Sequence, residues 1–297
     1  MRFLGAIFLS TFSLLGQAQT PPGSDIYIGA IERGENGLTI NGLTKVTDNP
    51  EYSNQPYFFS EKTLYFTQEI DGQMDTMRYS IQDKSVKNIT QSSESEYSPT
   101  PTPDGEGFSV IKVNAEGKQE LWQIGFNGLP MKHLSPAIEP VGYHVWTMQD
   151  KVLLFVLGEP HKLKLADPFI ETDEGVSIAS SIGASLFAMP NTFGYTYSVH
   201  EEDKAPELWW YSPSTQTQKR IGQLPKGANY YAWGPTSELF TTDNGQLVSM
   251  PFIVDREEIV FTAFKPVVIK SEYCQSGVSR IAISPYEEQI ALVCNRP

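Results

Sequence analysis

The stretch RIAISPYEEQIALVCNRP, residues 280–297, decides the fold. Two short alternating runs, Arg280 to Ser284 and Gln289 to Cys294, flank a turn at Pro285 to Glu288, the pattern of a β-hairpin. Only Asn295, Arg296 and Pro297 follow it. An isolated hairpin would leave an open edge and a bare apolar face, so another part of the chain must complete its sheet.

The missing strands are found by counting. Apolar residues alternate, Pro and Gly are frequent, and turn clusters recur at short intervals, which predicts an all-β protein. One recurring element is a polar residue followed by apolar ones after a polar loop. It begins at Asp25, Asp75, Glu120, Lys162, Glu207 and Gln246. A second element, strand, tight turn and strand, is anchored at Phe58, Pro101, Trp146, Phe187, Trp233 and Ile283. The two alternate six times with a period near 45 residues, the arithmetic of a four-stranded propeller blade. The first companion has no hairpin before it and the last hairpin has no companion after it. Residues 25–47 therefore supply the outer strands, and residues 279–294 the inner strands, of one shared blade. The expected fold is a six-bladed β-propeller closed by pairing of its two ends.

The turn PTPDGEGFSV, the strands ELWQIGFNG and ELWWYSPST, and the blocks EYSPTP, GYHVW and YAWGP resemble the exported TolB-like six-bladed propellers built from WD-like repeats. The resemblance covers essentially the whole chain after residue 24. It implies a TolB-like propeller without the α/β domain that precedes the propeller in full-length TolB.

Residues 1–18 read as a secretory signal: Arg2, an apolar run from Phe3 to Leu15, and small residues at Gly16 and Ala18. A short linker over 19–24 then leads into a single propeller domain, 25–297. The expected location is periplasmic or secreted. The formal charge of −13 without a Lys/Arg run argues against nucleic acid and anionic lipid as partners. No membrane insertion and no cofactor are expected, and the chain is expected to be a monomer. Cys274 and Cys294, the only cysteines, are candidates for one disulfide in an oxidising compartment. Pairing Ile283 with Ile290 would set Cys294 opposite Ser279.

Common catalytic signatures are absent: no G-x-S-x-G elbow, no second histidine after HEEDK at His200, no phosphate loop, no paired C-x-x-C. What remains is the channel. Counting three residues back from each inner-strand anchor gives Gln55, Ser98, Tyr143, Ala184, Tyr230 and Arg280, with Asn54, Tyr97, His144 and Tyr231 flanking them. These residues, with Glu159 and His161 in the loop LGEPHKLK, form the candidate ligand-binding set. Tyrosines could stack on a ligand while Arg280 holds a carboxylate or carbonyl. The alternative is that the ring's polar groups satisfy one another or hold water. Binding of a protein, peptide or small ligand at the face of the loops leading into the inner strands is the favoured function. A metal-dependent hydrolase or lyase of the lactonase kind, with His144, Glu96 and Glu51 as metal ligands, is the competing one. Trp122 and Trp209, at equivalent blade positions, are assigned to packing between blades.

Overall fold

A computed structural model describes residues 23–296 apart from 36, 237, 256 and 257; the proposed signal segment lies outside the described residues. The architecture is all-β: six sheets, antiparallel apart from one short parallel strand at the edge of the sixth, form the six blades of a propeller. The innermost strands of blades one to five are Ser53–Ser60, Ser95–Pro101, Val141–Trp146, Ile182–Ala188 and Tyr231–Gly234. Each leads outward through successive antiparallel strands.

Blade six is assembled from both ends of the chain. Its inner hairpin is Val278–Ile283 with Gln289–Asn295, and Ser24–Gly34 adds to the hairpin's free edge, with Ile26 opposite Val293 and Tyr27 opposite Leu292. Gly37–Lys45 follows outside it. Alternation explains why this register is strongly specified, because both faces of the shared sheet are buried. Ile26, Ile28, Ala291 and Val293 pack toward Phe58, Leu64 and Phe66 of blade one. Tyr27, Ile290 and Leu292 pack toward Ala232, Phe240 and Leu247 of blade five. Ile26, Leu292 and Val293 are fully buried. The same two-sided burial makes second strands read as continuous apolar runs, as in Val152–Val156 of blade three, buried throughout.

Four strands per blade is the rule in blades one to four. Blades five and six each carry more. The segment between blade five and the closing hairpin runs along the rim and is stitched to both: Lys265–Pro266 pairs with Gln246–Asp255, and Val268–Ile269 runs parallel to Gly37–Lys45. The sulfurs of Cys274 and Cys294 are bonded, with the Cα atoms 4.9 Å apart. Ile283 does pair with Ile290, but Cys294 faces Val278 rather than Ser279, because a bulge between Val278 and Arg280 inserts one residue.

Polar groups reinforce the closure. Arg296 donates from Nε and Nη2 to the two oxygens of Asp25 at 3.0 and 2.8 Å, and also reaches the carbonyls of Asn49 and Pro50. Lys45 adds a contact to Asp25 at 3.3 Å. Burial works to raise the Asp25 carboxyl, but these cations outweigh it and hold the group below its ordinary value of 3.8. Asp25→Ala is therefore expected to cost roughly 1–3 kcal/mol at neutral pH, the loss of a charge-assisted pair. A depressed carboxyl stabilises the fold above its unfolded pKa and loses that contribution as pH falls through the lowered native value. Urea midpoints of the wild type and Asp25→Ala should thus differ at pH 7 and converge in strong acid.

Candidate functional site

Inner strands meet the channel along their edges, so a regular strand would turn its side chains toward the neighbouring blades instead. Bulges change this. Register shifts interrupt five of the six inner strands, around Gln55, Ser98, Gly142, Ala184 and Ser279. In blade five Tyr230 lies just before its strand. Gln55 and Ser98 take the left-handed conformation, with φ of 56° and 57°, which a bulge can require of a non-glycine residue.

All six ring positions, Gln55, Ser98, Tyr143, Ala184, Tyr230 and Arg280, line one central cavity of about 480 Å³. Its wall also carries apolar groups, among them Pro56, Phe58, Pro99, Leu186, Phe187 and Ile281. This size and mixture suit a ligand pocket with few orienting polar groups.

Arg280 is the charged member of this lining. Its guanidinium lies 4.0 Å from the ring centroid of Tyr230 and 5.3 Å from that of Tyr143. Its Nη2 donates to the Tyr143 hydroxyl at 3.0 Å. Blade six stands opposite blade three in a six-blade ring, so this bond braces the channel from side to side. The buried Nε of Arg280 has no hydrogen-bond partner, and neither does the buried Oγ of Ser98.

The tyrosines respond to that charge. Burial would push the Tyr143 hydroxyl up, yet the Arg280 charge and hydrogen bonds with Arg280, Tyr230 and Gln55 outweigh it and leave Tyr143 below the usual phenol value. Tyr230 is raised, because for it burial prevails over Arg280. Burial opposes the charge on Arg280, but Tyr143, Tyr230 and Tyr52 more than compensate and hold its pKa above the ordinary value.

The remaining candidates separate by the side their residues face. His144 and Tyr231 follow ring residues and turn into the blade interfaces. His144 Nε2 meets Ser109 Oγ of blade two at 2.6 Å, and burial drives its pKa down to about 3. Tyr231 donates to Thr196 Oγ1 of blade four at 3.0 Å and to the Ser185 carbonyl. Trp146 and Trp233 reach the same Ser109 and Thr196 hydroxyls at 2.8 Å, so the two interfaces are built alike. Both residues also line the cavity, while their rings hold blades together.

Asn54 accepts from the Gln55 N–H at 2.7 Å, and Tyr97 packs against the cluster of Ile111, Leu121 and Val141; neither lines the cavity. Glu159 and His161 also lie off its wall. His161 Nδ1 accepts from the Gly158 N–H at 3.2 Å and its ring packs on Phe155. Gln55 is itself a connector as well as a lining group: its Oε1 accepts from Ser98 N at 2.7 Å and from Thr67 Oγ1 at 3.1 Å.

Two further tyrosines escape the count of three, and of these only Tyr57 is on the cavity wall. Tyr52, whose hydroxyl burial pushes above the phenol range, interacts with Arg280, Tyr143 and Tyr230. The repeated EYS at residues 51–53 and 96–98 was the available signal for it. Tyr57 lies two residues past Gln55, beyond the bulge, and is a third exposed to the lumen.

Comparison with known proteins follows from this geometry. No protein-family model matches the chain, and no curated protein matches it. Solved structures do. A protein described as TolB from Agrobacterium tumefaciens superposes with a TM-score of 0.64 at 14% identity, over 93% of this chain and 99% of that one. The fold is that of a TolB-like propeller. TolB from Acinetobacter baumannii gives 0.54 at 8% identity over 91% of this chain, which spans 63% of that protein. A periplasmic gluconolactonase from Pseudomonas aeruginosa also gives 0.54, at 12% identity over 91% of this chain and 88% of that one. Identities this low carry the fold alone.

The three groups named for a channel metal are not brought together on the cavity wall. His144 faces Ser109, the buried Glu96 takes the Ser92 hydroxyl, and neither Glu51 nor Glu96 lines the cavity. Burial pushes the Glu96 carboxyl up to about 7. Its folded form thus keeps a proton that the unfolded chain releases near 4.5, so stability is fully present below 4.5 and is lost as pH rises through 7. A shift of this size is worth about 3 kcal/mol. Glu96→Gln should match the wild type near pH 4 and exceed it at pH 8 in urea unfolding.

Proposed function

We propose that this chain is an exported propeller that captures a carboxylate-bearing ligand, a peptide or small molecule, at the face formed by the loops leading into its inner strands. One observation carries the reading. Among the described residues of the cavity wall, Arg280 is the one formally charged group, and no carboxylate stands beside it there. In a chain of formal charge −13, a guanidinium kept in the channel by tyrosines is an anion receptor in waiting.

A carboxylate would accept two parallel N–H donors from Arg280, with the unpartnered Nε as one of them. Tyr230 and Tyr143 provide faces for stacking, and the apolar groups of the cavity wall accept a side chain or aliphatic body. The acidic exterior favours a ligand that also carries positive charge, such as a peptide. A lactonase-like hydrolase is the second reading, favoured by the likeness to the gluconolactonase; the side-chain directions of His144 and Glu96 weigh against it.

Thermal-shift titration tests the reading, using acetate, succinate, and short basic peptides with free or amidated C-termini. Free carboxylates are expected to raise the melting temperature and amidated peptides to have less effect. Arg280→Ala should abolish the response and Tyr143→Phe should weaken it several-fold. Equal responses from the wild type and Arg280→Ala would place binding elsewhere.

A further inference from the structure

The third strands of blades two and four carry the same ELW sequence, Glu120 to Trp122 and Glu207 to Trp209, and they use it differently. In blade four, Glu207 accepts from Trp209 Nε1 at 3.0 Å and pairs with Arg220 Nε at 2.8 Å. Arg220 stands opposite Trp209 on the outer strand. The acid is thus neutralised within its own blade.

In blade two, Glu120 likewise accepts from Trp122 Nε1, at 2.9 Å. The residue opposite Trp122 is now His133, whose ring stacks on the indole with centroids 4.9 Å apart and planes 2° from parallel. An imidazole occupies the arginine's position. His133 Nε2 is buried and has no hydrogen-bond partner. A second carboxylate, Glu139, arrives from the segment leading into blade three. One imidazole nitrogen and one oxygen from each carboxylate lie within 4.8 Å of one another.

We propose that Glu120, His133 and Glu139 form a binding site for a borderline first-row divalent cation of the Zn²⁺ type, on the outer side of blade two, joining it to the segment that feeds blade three. The donor set fits. One imidazole and two carboxylates complete three positions of a tetrahedral site and neutralise the ion, leaving the fourth for water. Donors around a tetrahedral ion at about 2.1 Å stand roughly 3.4 Å apart, so modest side-chain rotation would close the present spacing.

The surrounding groups behave as outer-shell supports. The Trp122 N–H orients Glu120, and the stacked indole fixes the plane of His133. Lys118 Nζ, 3.1 Å from Glu139 Oε2 and well exposed, occupies the cation's place on that carboxylate and can swing into solvent. His133 also lines a second cavity, of about 400 Å³, which gives the imidazole a path from solvent. None of the three residues lines the central channel, so this site is separate from the one proposed there.

Calorimetric titration of the untagged chain with Zn²⁺, alongside Co²⁺ absorption spectra, tests the proposal. Saturation at one ion per chain is expected, with a Co²⁺ spectrum of low coordination number and a higher melting temperature in Zn²⁺. His133→Ala and Glu120→Gln should each weaken binding by roughly tenfold or more, whereas Lys118→Ala should tighten it by removing the competing ammonium. The lysine is exposed, so that variant reports on the site without disturbing the core. Absence of saturable uptake, or affinities unchanged in both His133→Ala and Lys118→Ala, would overturn the assignment.

Discussion

The pairing of Ser24–Gly34 with Gln289–Asn295 is the constraint on which the rest depends. It converts a row of sheets into a ring, and the ring brings distant blades into contact. Arg280 lies on the strand that this pairing holds in place, and its partner Tyr143 is 137 residues away in sequence. Among the described residues, the one formally charged group of the cavity wall is thus positioned by the seam. Asp25, Arg296 and the Cys274–Cys294 bond concentrate polar and covalent ties at the same seam, where an open edge would otherwise be exposed. Closure of this kind is non-local, so its entropy cost is met before its contacts form.

Within the ring, two populations of polar residue do different work. Ser109 and Thr196, on second strands, receive a pair of donors or rings from the next blade and lock adjacent sheets together. Gln55, Ser98, Tyr143, Tyr230 and Arg280, released from strand alternation by bulges or by position before the strand, face the lumen. The same stretch of chain thereby supplies both blade cement and a polar pocket. Neighbouring residues such as Tyr143 and His144 end in environments that move their pKa values for unrelated reasons, a nearby guanidinium in one case and dry burial in the other.

The blades are also not equivalent. Glu207 with Arg220 shows what the ELW strand does when its charge is balanced internally, and Glu120 with His133 and Glu139 departs from that arrangement at one position. A repeat architecture makes such departures visible, because each blade is a control for the others. The rim segment over blades five and six is a second departure, adding strands where the chain must travel from the end of one blade to the closing hairpin.

Periodicity determined the blade count and the shared final blade, because each repeat restarts the same order of turns and strands, and it marked the six positions that bulges, or a place just before the strand, then turn to the lumen. Counting from Phe58, Pro101, Trp146, Phe187, Trp233 and Ile283 therefore reached Gln55 through Arg280 without any knowledge of distance. Tertiary structure alone decided that His144 and Tyr231 serve the interfaces, that Tyr57 joins the channel, and that Cys294 faces Val278. Each of these turns on a bulge or a loop, where one inserted residue reverses the facing of those after it and leaves little mark in composition. The Arg280–Tyr143 brace and the His133–Glu139 approach likewise exist only once blades are set beside or across from one another, because no local pattern encodes a distance between separate sheets.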